Sequence, residues 1–500
     1  MSSSSESNAP WPYPLPGSGR DVVSQALSPV DPTIFREYDV RGQVVATDAI
    51  PSMNEGVASR IGKAFGTLLL ARGRHSSVVG FDARSYSQQL ANALITGLLS
   101  TGTDVVNVGL STTPLVYFAQ HVIGGLPGVS VTASHNPNGW AGMKLGYAPS
   151  STLGPDDVAE LKSVVDSGRF VMGSGRYTER SVTQQYIDQL VARIQYERHL
   201  NVVIDGGNSV SGPIAELAVR RAGHQVTAIN RDLDWDFPNH EPDPETTEAR
   251  RQVSEAVVRC NADIGLSFDG DGDRLGITDE LGQVVWSDRI LALMAADTLS
   301  RHPGQQIVFD VKCSRLVPER ISALGGIPVM WRTGHSHIKS KMRELGAPFA
   351  GERSGHFFDA ADYYGFDDGL YAAMRLLSLL AAGTAPLSSM VASLGSYEST
   401  PAMQAPCPDD RKYAVVEAFA RYAEGLGASQ LVRINGVRAE FDDGWILVRA
   451  SSNLPALVIL AEARTEKRVK ELYLLLRRGL VQSGLVGDRW DNDPWPSLDD

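Results

Sequence analysis

Three aspartates on alternate residues, Asp269, Asp271 and Asp273, interleaved with glycines and followed by Arg274, form the most chemically pointed segment of the chain. An apolar run, Ile264 to Phe268, leads into them. Carboxylates spaced in this way can converge on one hard cation, and Mg²⁺ suits such a site when a phosphate completes its shell. A calcium loop is a competing reading, because Glu280 falls at position 12 counted from Asp269. That reading fails at position 6, where Arg274 replaces the glycine the turn needs, and a strand pattern rather than a helix comes before it.

Three further loops have side chains suited to chemistry. In Thr132-Ala133-Ser134-His135-Asn136-Pro137, Pro137 biases Asn136 away from helix, so a turn presents the Ser134 hydroxyl at a strand end. A turn serine can simply bond its own backbone. As a nucleophile it is weak unless activated, and no GxSxG elbow surrounds it. Gly351-Glu352-Arg353-Ser354-Gly355-His356 sets short polar side chains between glycines, fit for sugar hydroxyls or for an ordinary turn. Arg449-Ala450-Ser451-Ser452-Asn453 offers a guanidinium, hydroxyls and an amide, which can cradle a phosphate dianion or merely end a hairpin. An apolar strand followed by Asp-x-Asp-Gly also resembles the haloacid dehalogenase superfamily of phosphatases, with Asp269 as nucleophile. Asp273 stands where that pattern wants Thr or Val.

The elements that must hold these loops alternate between strand and helix. Asn54 to Arg72 and Ser87 to Ser100 read as helices, and Val105 to Leu110 and Gly128 to Ala133 as buried strands. The rhythm restarts at the strand Asn201 to Asp205 with its helix Pro213 to Arg221. It restarts again at the helix Ser287 to Ser300 and the strand Ile307 to Val311. Repeats of this kind imply α/β layers with ligands at strand ends. After residue 397 the pattern becomes short alternating strands: Leu431 to Ile434, Arg438 to Phe441, Trp445 to Ala450 and Ala456 to Glu462. A hairpin turn is expected at Asp442-Asp443-Gly444, and a closing helix over Thr465 to Gln482. The expected division is a flexible leader 1–30, α/β domains 31–182, 183–283 and 284–396, an α+β domain 397–487, and an acidic, mobile tail 488–500.

Composition bounds the partners. The 46 Lys+Arg against 58 Asp+Glu give a net −12, a poor footprint for nucleic acid. With 43% hydrophobic and 21% charged residues the chain reads as an ordinary globular protein. The three cysteines, Cys260, Cys313 and Cys407, form no CxxC pair, so neither a disulfide framework nor a cysteine zinc site is expected. No apolar stretch is long enough for a membrane span and no signal peptide pattern opens the chain, so a cytoplasmic protein, monomeric or a small homo-oligomer, is expected.

Taken together, the four loops resemble the α-D-phosphohexomutase superfamily, in its bacterial phosphomannomutase/phosphoglucomutase form. The likeness runs from Phe35-Arg36-Glu37-Tyr38-Asp39-Val40-Arg41-Gly42 to about Asn453. It also takes in Asp310-Val311-Lys312-Cys313, Thr333-Gly334-His335-Ser336 and Gly365-Phe366-Asp367-Asp368-Gly369. The resemblance implies three related mixed-sheet α/β domains plus a smaller C-terminal α+β domain around a central cleft. It implies an isomerase that interconverts hexose 1-phosphate and hexose 6-phosphate through a phosphoserine at Ser134 and a hexose 1,6-bisphosphate. Asp269, Asp271, Asp273 and a phosphate oxygen on Ser134 would hold Mg²⁺. Lys144 and Arg274 would add positive charge, and Lys144, Arg41 or His335 would move the proton of the sugar hydroxyl. Glu352 and Ser354, with His356 in the same loop, would grip sugar hydroxyls. Arg449, Ser451, Ser452 and Asn453 would hold the remote phosphate, with Tyr38, Lys312 and His335 lining the cleft. Arg353 departs from the related Gly-Glu-Met-Ser-Gly-His loop, and Ser452-Asn453-Leu454 reorders the common Asn-Thr-Thr. The alternatives are a haloacid-dehalogenase-like sugar phosphatase and a non-catalytic sugar-phosphate-binding protein.

Overall fold

The computed structural model describes residues 30–44, 51–193, 197–452, 454–482, 486–487 and 489–495. The expected leader up to residue 29, Asn453, and residues 488 and 496–500 of the tail lie outside the described residues.

The first sheet runs, edge to edge, Val40–Gln43, Trp140–Gly146, Gly128–Val131, Ser76–Phe81, Asp104–Leu110 and Tyr177–Glu179. Its first two pairings are antiparallel and the others parallel. The helix Glu55–Ala71 begins at Asn54, whose side chain accepts from the Val57 N–H at 3.0 Å. It buries Val57, Ile61, Phe65 and Leu68, the spacing of one apolar stripe.

The second sheet orders Val284–Val285, Leu275–Asp279, Ile264–Phe268, Asn201–Asp205 and Gln225–Ile229. It reaches slightly past the expected boundary at residue 283. The third orders Ile327–Trp331, Gln306–Asp310, Phe349–Gly351 and Phe357–Asp359. Both mix parallel and antiparallel pairs. One continuous apolar core joins these three units, with Leu115 and Phe118, Ile204 and Leu266, and Phe309 and Leu376 in the same cluster.

The fourth unit is antiparallel, ordering Glu398–Ser399, Ala456–Ala463, Gly444–Ala450, Val437–Phe441 and Gln430–Val432, with Met403–Pro406 also on Ala456–Ala463. Helices Lys412–Glu424 and Glu466–Val481 back it around a separate core. The strand Gly444–Ala450 is buried along its whole length because both its faces are covered. Ile446 and Val448 face that helical core, while Trp445 and Leu447 pack against Val311 of the third unit. The Asp442-Asp443-Gly444 hairpin forms where expected, with Phe441 opposite Gly444.

The tail differs from the expectation of a mobile segment. Trp490 and Trp495 pack edge-on against Tyr473, and Asp493 accepts from the Tyr473 hydroxyl at 2.8 Å while pairing with Arg477 at 3.0 Å. Asp491 and Gln404 exchange two backbone hydrogen bonds. The two tryptophans supply apolar area that outweighs the chain entropy of a short acidic segment. Among the described residues, no helix is long and apolar enough to cross a membrane.

Candidate active site

Four loops, one from each sheet unit, line a cleft of about 250 Å³. The Ser134 loop leaves the strand Gly128–Val131, and Ser134 sits at φ 52°. That left-handed conformation is uncommon for a non-glycine residue and has to be held by its surroundings. Arg84 donates to the carbonyls of Ser134 and Asn136 at 3.0 and 2.5 Å, and Asp82 anchors Arg84 at 2.6 Å. Asp82 also accepts from Thr132 Oγ1 at 2.8 Å, and that oxygen accepts from the Ser134 N–H at 2.8 Å. Arg41, paired with Asp39 at 2.7 Å, donates to Asn136 Oδ1 at 2.8 Å. Sequence reasoning missed the Asp82–Arg84 support, although a charged pair directly after the strand Ser76–Phe81 was a readable signal.

The aspartate loop joins the strands Ile264–Phe268 and Leu275–Asp279, which pair antiparallel with Phe268 opposite Leu275. Flanking strands rather than helices rule out a calcium loop of the helix–loop–helix kind. The carboxylates of Asp269, Asp271 and Asp273 are fully buried, with one oxygen of each within 4.8 Å of the others. Ser134 Oγ donates to Asp269 Oδ2 at 2.9 Å and lies 3.1 Å from His135 Nδ1. The approach of the two loops is so close that a Cβ on Gly270 would lie 2.5 Å from the Ser134 carbonyl. Only glycine fits there.

These residues fit a divalent cation. Asp271 Oδ1 is buried without a hydrogen-bond partner. Burial and the neighbouring Asp273 and Asp271 carboxylates push Asp269 well above the usual carboxylate range. Hard oxygen ligands crowded at that density are what a divalent-cation site supplies.

Cationic groups surround this cluster. Lys144 Nζ donates to Asp271 Oδ2 at 2.8 Å and to Asp273. Burial opposes its charge, but Asp271, Asp273 and Asp269 outweigh burial and raise its pKa. That is the reverse of the lowering a proton-accepting lysine needs. Arg274 is raised in the same way, burial being outweighed by Asp269 and Asp243. His135, which sequence reasoning gave no role, is driven well below its ordinary value by burial and then by Arg274 and Arg41, so it is a neutral imidazole beside Ser134.

The third unit contributes the sugar-loop candidates. The Leu275 N–H donates to the Gly355 carbonyl at 3.1 Å, and Gly355 has φ 93° with Leu275 O only 2.6 Å from where a Cβ would sit. Glu352 accepts from the Gly334 N–H at 2.5 Å and lies 2.9 Å from His356 Nδ1, whose Nε2 is 3.2 Å from Asp273. Burial opposes both charges. Asp273 and Glu352 nevertheless lift His356 to about 9, and His356 and Lys312 bring Glu352 to about 2. Ser354 Oγ lies 3.3 Å from His356 Nδ1. Lys312 lies 3.6 Å from Asp310. His335 faces Tyr38 edge-on at 5.0 Å and is kept neutral by burial, then by Lys339 and Lys144. Arg353 does not face the cleft: its guanidinium pairs with Asp288 at 2.7 Å behind the loop.

Arg449, Ser451 and Ser452 of the fourth unit line the same cleft. Arg449 is 4% exposed, forms no ion pair among the described residues, and its Nε has no hydrogen-bond partner. A buried guanidinium that lines a cleft has the charge and the donors to receive an anion. Asn492 of the docked tail also reaches the rim, which no sequence pattern indicated.

Matches to the phosphoglucomutase/phosphomannomutase family models cover α/β/α domain I over residues 32–172, domain II over 184–282, domain III over 286–397 and the C-terminal domain over 403–475. The chain belongs to this family. It is a phosphohexomutase, and the family match supports that reading rather than the haloacid-dehalogenase-like phosphatase. A phosphomannomutase/phosphoglucomutase of Pseudomonas aeruginosa is 39% identical over 459 residues, covering 92% of this chain and 98% of the relative. A phosphoglucomutase of Neisseria gonorrhoeae is 38% identical over 442 residues, covering 88% and 95%. The crystal structure of a family protein from Burkholderia thailandensis superposes with a TM-score of 0.83 at 37% identity, covering 91% and 98%.

Proposed function

We propose that this phosphohexomutase interconverts the 1- and 6-phosphates of glucose and mannose, with Ser134 as the residue that gives and takes the phosphoryl group. The observation that carries the reading is Ser134 Oγ lying 2.9 Å from Asp269 in a cleft also lined by Arg449, which is buried without an ion pair among the described residues. A hexose phosphate has one phosphate to place at Ser134 and at Arg449 in turn. Asp269, Asp271 and Asp273 would hold Mg²⁺, which when bound neutralises phosphate oxygens and the departing serine oxygen.

The chain's own residues do the rest. Arg84 and Thr132 fix the strained Ser134 backbone, so the hydroxyl oxygen is oriented before substrate arrives. Lys144 and Arg274 add fixed positive charge beside the aspartates that Ser134 approaches. Arg449, Ser451 and Ser452, with Asn453, bind the phosphate that is not reacting, and this remote contact orients the sugar. Glu352 and Ser354 take sugar hydroxyls, with His356 bridging Glu352 to Asp273. A grip on the hydroxyls that glucose and mannose share admits both epimers. Tyr38, Lys312 and His335 line the wall between the poles. Of Lys144, Arg41 and His335, the proton of the attacking sugar hydroxyl passes to the neutral imidazole of His335, because the aspartates hold Lys144 protonated and a guanidinium takes up no proton. Transfer of the Ser134 phosphate gives a hexose 1,6-bisphosphate, which turns over and returns its other phosphate to Ser134.

The test is the Ser134→Ala variant, assayed with glucose 1-phosphate, Mg²⁺ and catalytic glucose 1,6-bisphosphate. Turnover falls by about 10³-fold or more on this reading. Full activity in the variant contradicts it.

A further inference from the structure

Arg353 stands between Glu352 and Ser354, yet its side chain leaves the cleft and is 2% exposed. Nη1 donates to Asp288 Oδ2 at 2.7 Å, and Nη2 donates to Ser399 Oγ at 3.0 Å and to the Thr400 carbonyl at 3.2 Å. The guanidinium also lies over the Trp286 ring at 4.9 Å, and the Arg353 N–H donates to Asp310 Oδ1 at 3.0 Å.

These partners come from separate parts of the molecule. Asp288 opens the helix Ser287–Arg301 and also accepts from the Ser314 N–H at 2.9 Å, close to Lys312. Ser399 and Thr400 belong to the segment between the third and fourth units. Ser399 pairs with Glu462, the Thr400 N–H donates to the Ala461 carbonyl at 2.9 Å, and the Ala461 N–H donates to Thr400 Oγ1 at 3.0 Å. Ala461 lies on the strand Ala456–Ala463, directly beside the strand Gly444–Ala450 that presents Arg449. A single guanidinium therefore bridges the sugar loop and the sheet that bears the phosphate loop.

We propose that Arg353 is a positioning residue that fixes the separation between the Glu352–Ser354 loop and the Arg449–Ser452 loop, and through it the fit of the hexose phosphate. This rests on the mutase reading above. The planar fork of arginine holds two directions at once, which neither lysine nor the methionine of the related loop can do. A fully buried charge is tolerated only because Asp288 and the oxygen acceptors satisfy it. The sugar phosphate is a rigid gauge between the two loops, and both touch it away from the reacting oxygen. A change in their spacing therefore acts on binding before it acts on chemistry.

Removing Arg353 alone would strand the buried Asp288 carboxylate, so the informative variant is the double substitution Arg353→Met with Asp288→Asn. Asparagine still accepts from Ser314, and Arg289, buried beside Asp288, keeps its hydrogen bonds to Ser314 Oγ and the Tyr397 carbonyl. Calorimetric Kd for glucose 1-phosphate, KM, kcat and the thermal midpoint are measured for the wild type, the double variant and Arg353→Lys. The expected result is a cooperatively folded double variant with Kd and KM raised about three- to tenfold and kcat within about twofold, and partial recovery in Arg353→Lys. Unchanged Kd and KM in the double variant, whatever its thermal midpoint, overturn the positioning role. Failure of the mutase reading has a different signature: all three proteins bind glucose 1-phosphate and none turns it over. A wild type that does not bind glucose 1-phosphate overturns both.

Discussion

The Ser134 loop and the Arg449 loop face one cleft but are held in opposite ways. Around Ser134 the backbone is tied down by side chains: Arg84, Thr132 and Asp82 hold it, Arg41 holds the Asn136 side chain, and Lys144 spans two of the three aspartates. The units that carry the serine and the aspartates also share one apolar core with the third. Around Arg449 the guanidinium is buried without an ion pair among the described residues, on a unit with its own core. On the proposed mechanism, the pole where bonds are made and broken is organised in advance, where misplacement costs most. The pole proposed only to bind keeps hydrogen-bonding capacity for its ligand.

Substitutions at the two poles should therefore fail differently. Asp271→Ala removes a carboxylate that no other group replaces, and kcat/KM is expected to fall by about 10³-fold or more, with loss of Mg²⁺ dependence in a metal titration. Arg449→Ala should raise KM about 10- to 100-fold while kcat changes far less, since it removes a charged contact remote from the reacting oxygen. An equal fall in kcat there would break the distinction between the poles.

Trp490→Ala probes the strap that the tail lays on the fourth unit beside Gln404. It should cost about 2 kcal/mol of stability, less than a central aromatic, read by denaturant unfolding. Asp368→Asn probes the packing behind the chemical pole. Asp368 accepts from the Tyr186 hydroxyl at 2.9 Å and caps the helix Gly369–Ala381, and burial pushes it up to about 6 from 3.8. The unfolded chain loses this proton first, so the group's contribution makes stability fall as pH rises from about 4 to 6. The asparagine variant should flatten that slope and gain on the order of 1 kcal/mol at pH 7, measured as unfolding free energy against pH.

Much of this division was legible in the residues. Apolar strands ending in Ser134, in Asp269 and in Arg449 announced the loops, because strand period and turn chemistry are local properties. The closing helix came out as Glu466–Val481 for the same reason. Contacts made across sheets were not legible. That His135 is neutral depends on its burial between loops and then on Arg274 and Arg41, far away in the chain. That Arg353 turns away from the cleft depends on Asp288 and on Ser399. The tail looked mobile because its acidity is visible in sequence, whereas the Tyr473 and Arg477 surface that receives it exists only once the helix Glu466–Val481 has packed.

The central claim is that Ser134 is the residue that accepts the phosphoryl group. It is tested most directly by incubating the protein with glucose 1,6-bisphosphate and Mg²⁺, digesting it, and mapping the phosphate by mass spectrometry. One acid-stable phosphate on the peptide containing Ser134, discharged by glucose 6-phosphate, is the predicted result. A hydroxylamine-labile phosphate on Asp269, or no covalent phosphate in a protein that still turns over glucose 1-phosphate, would contradict it.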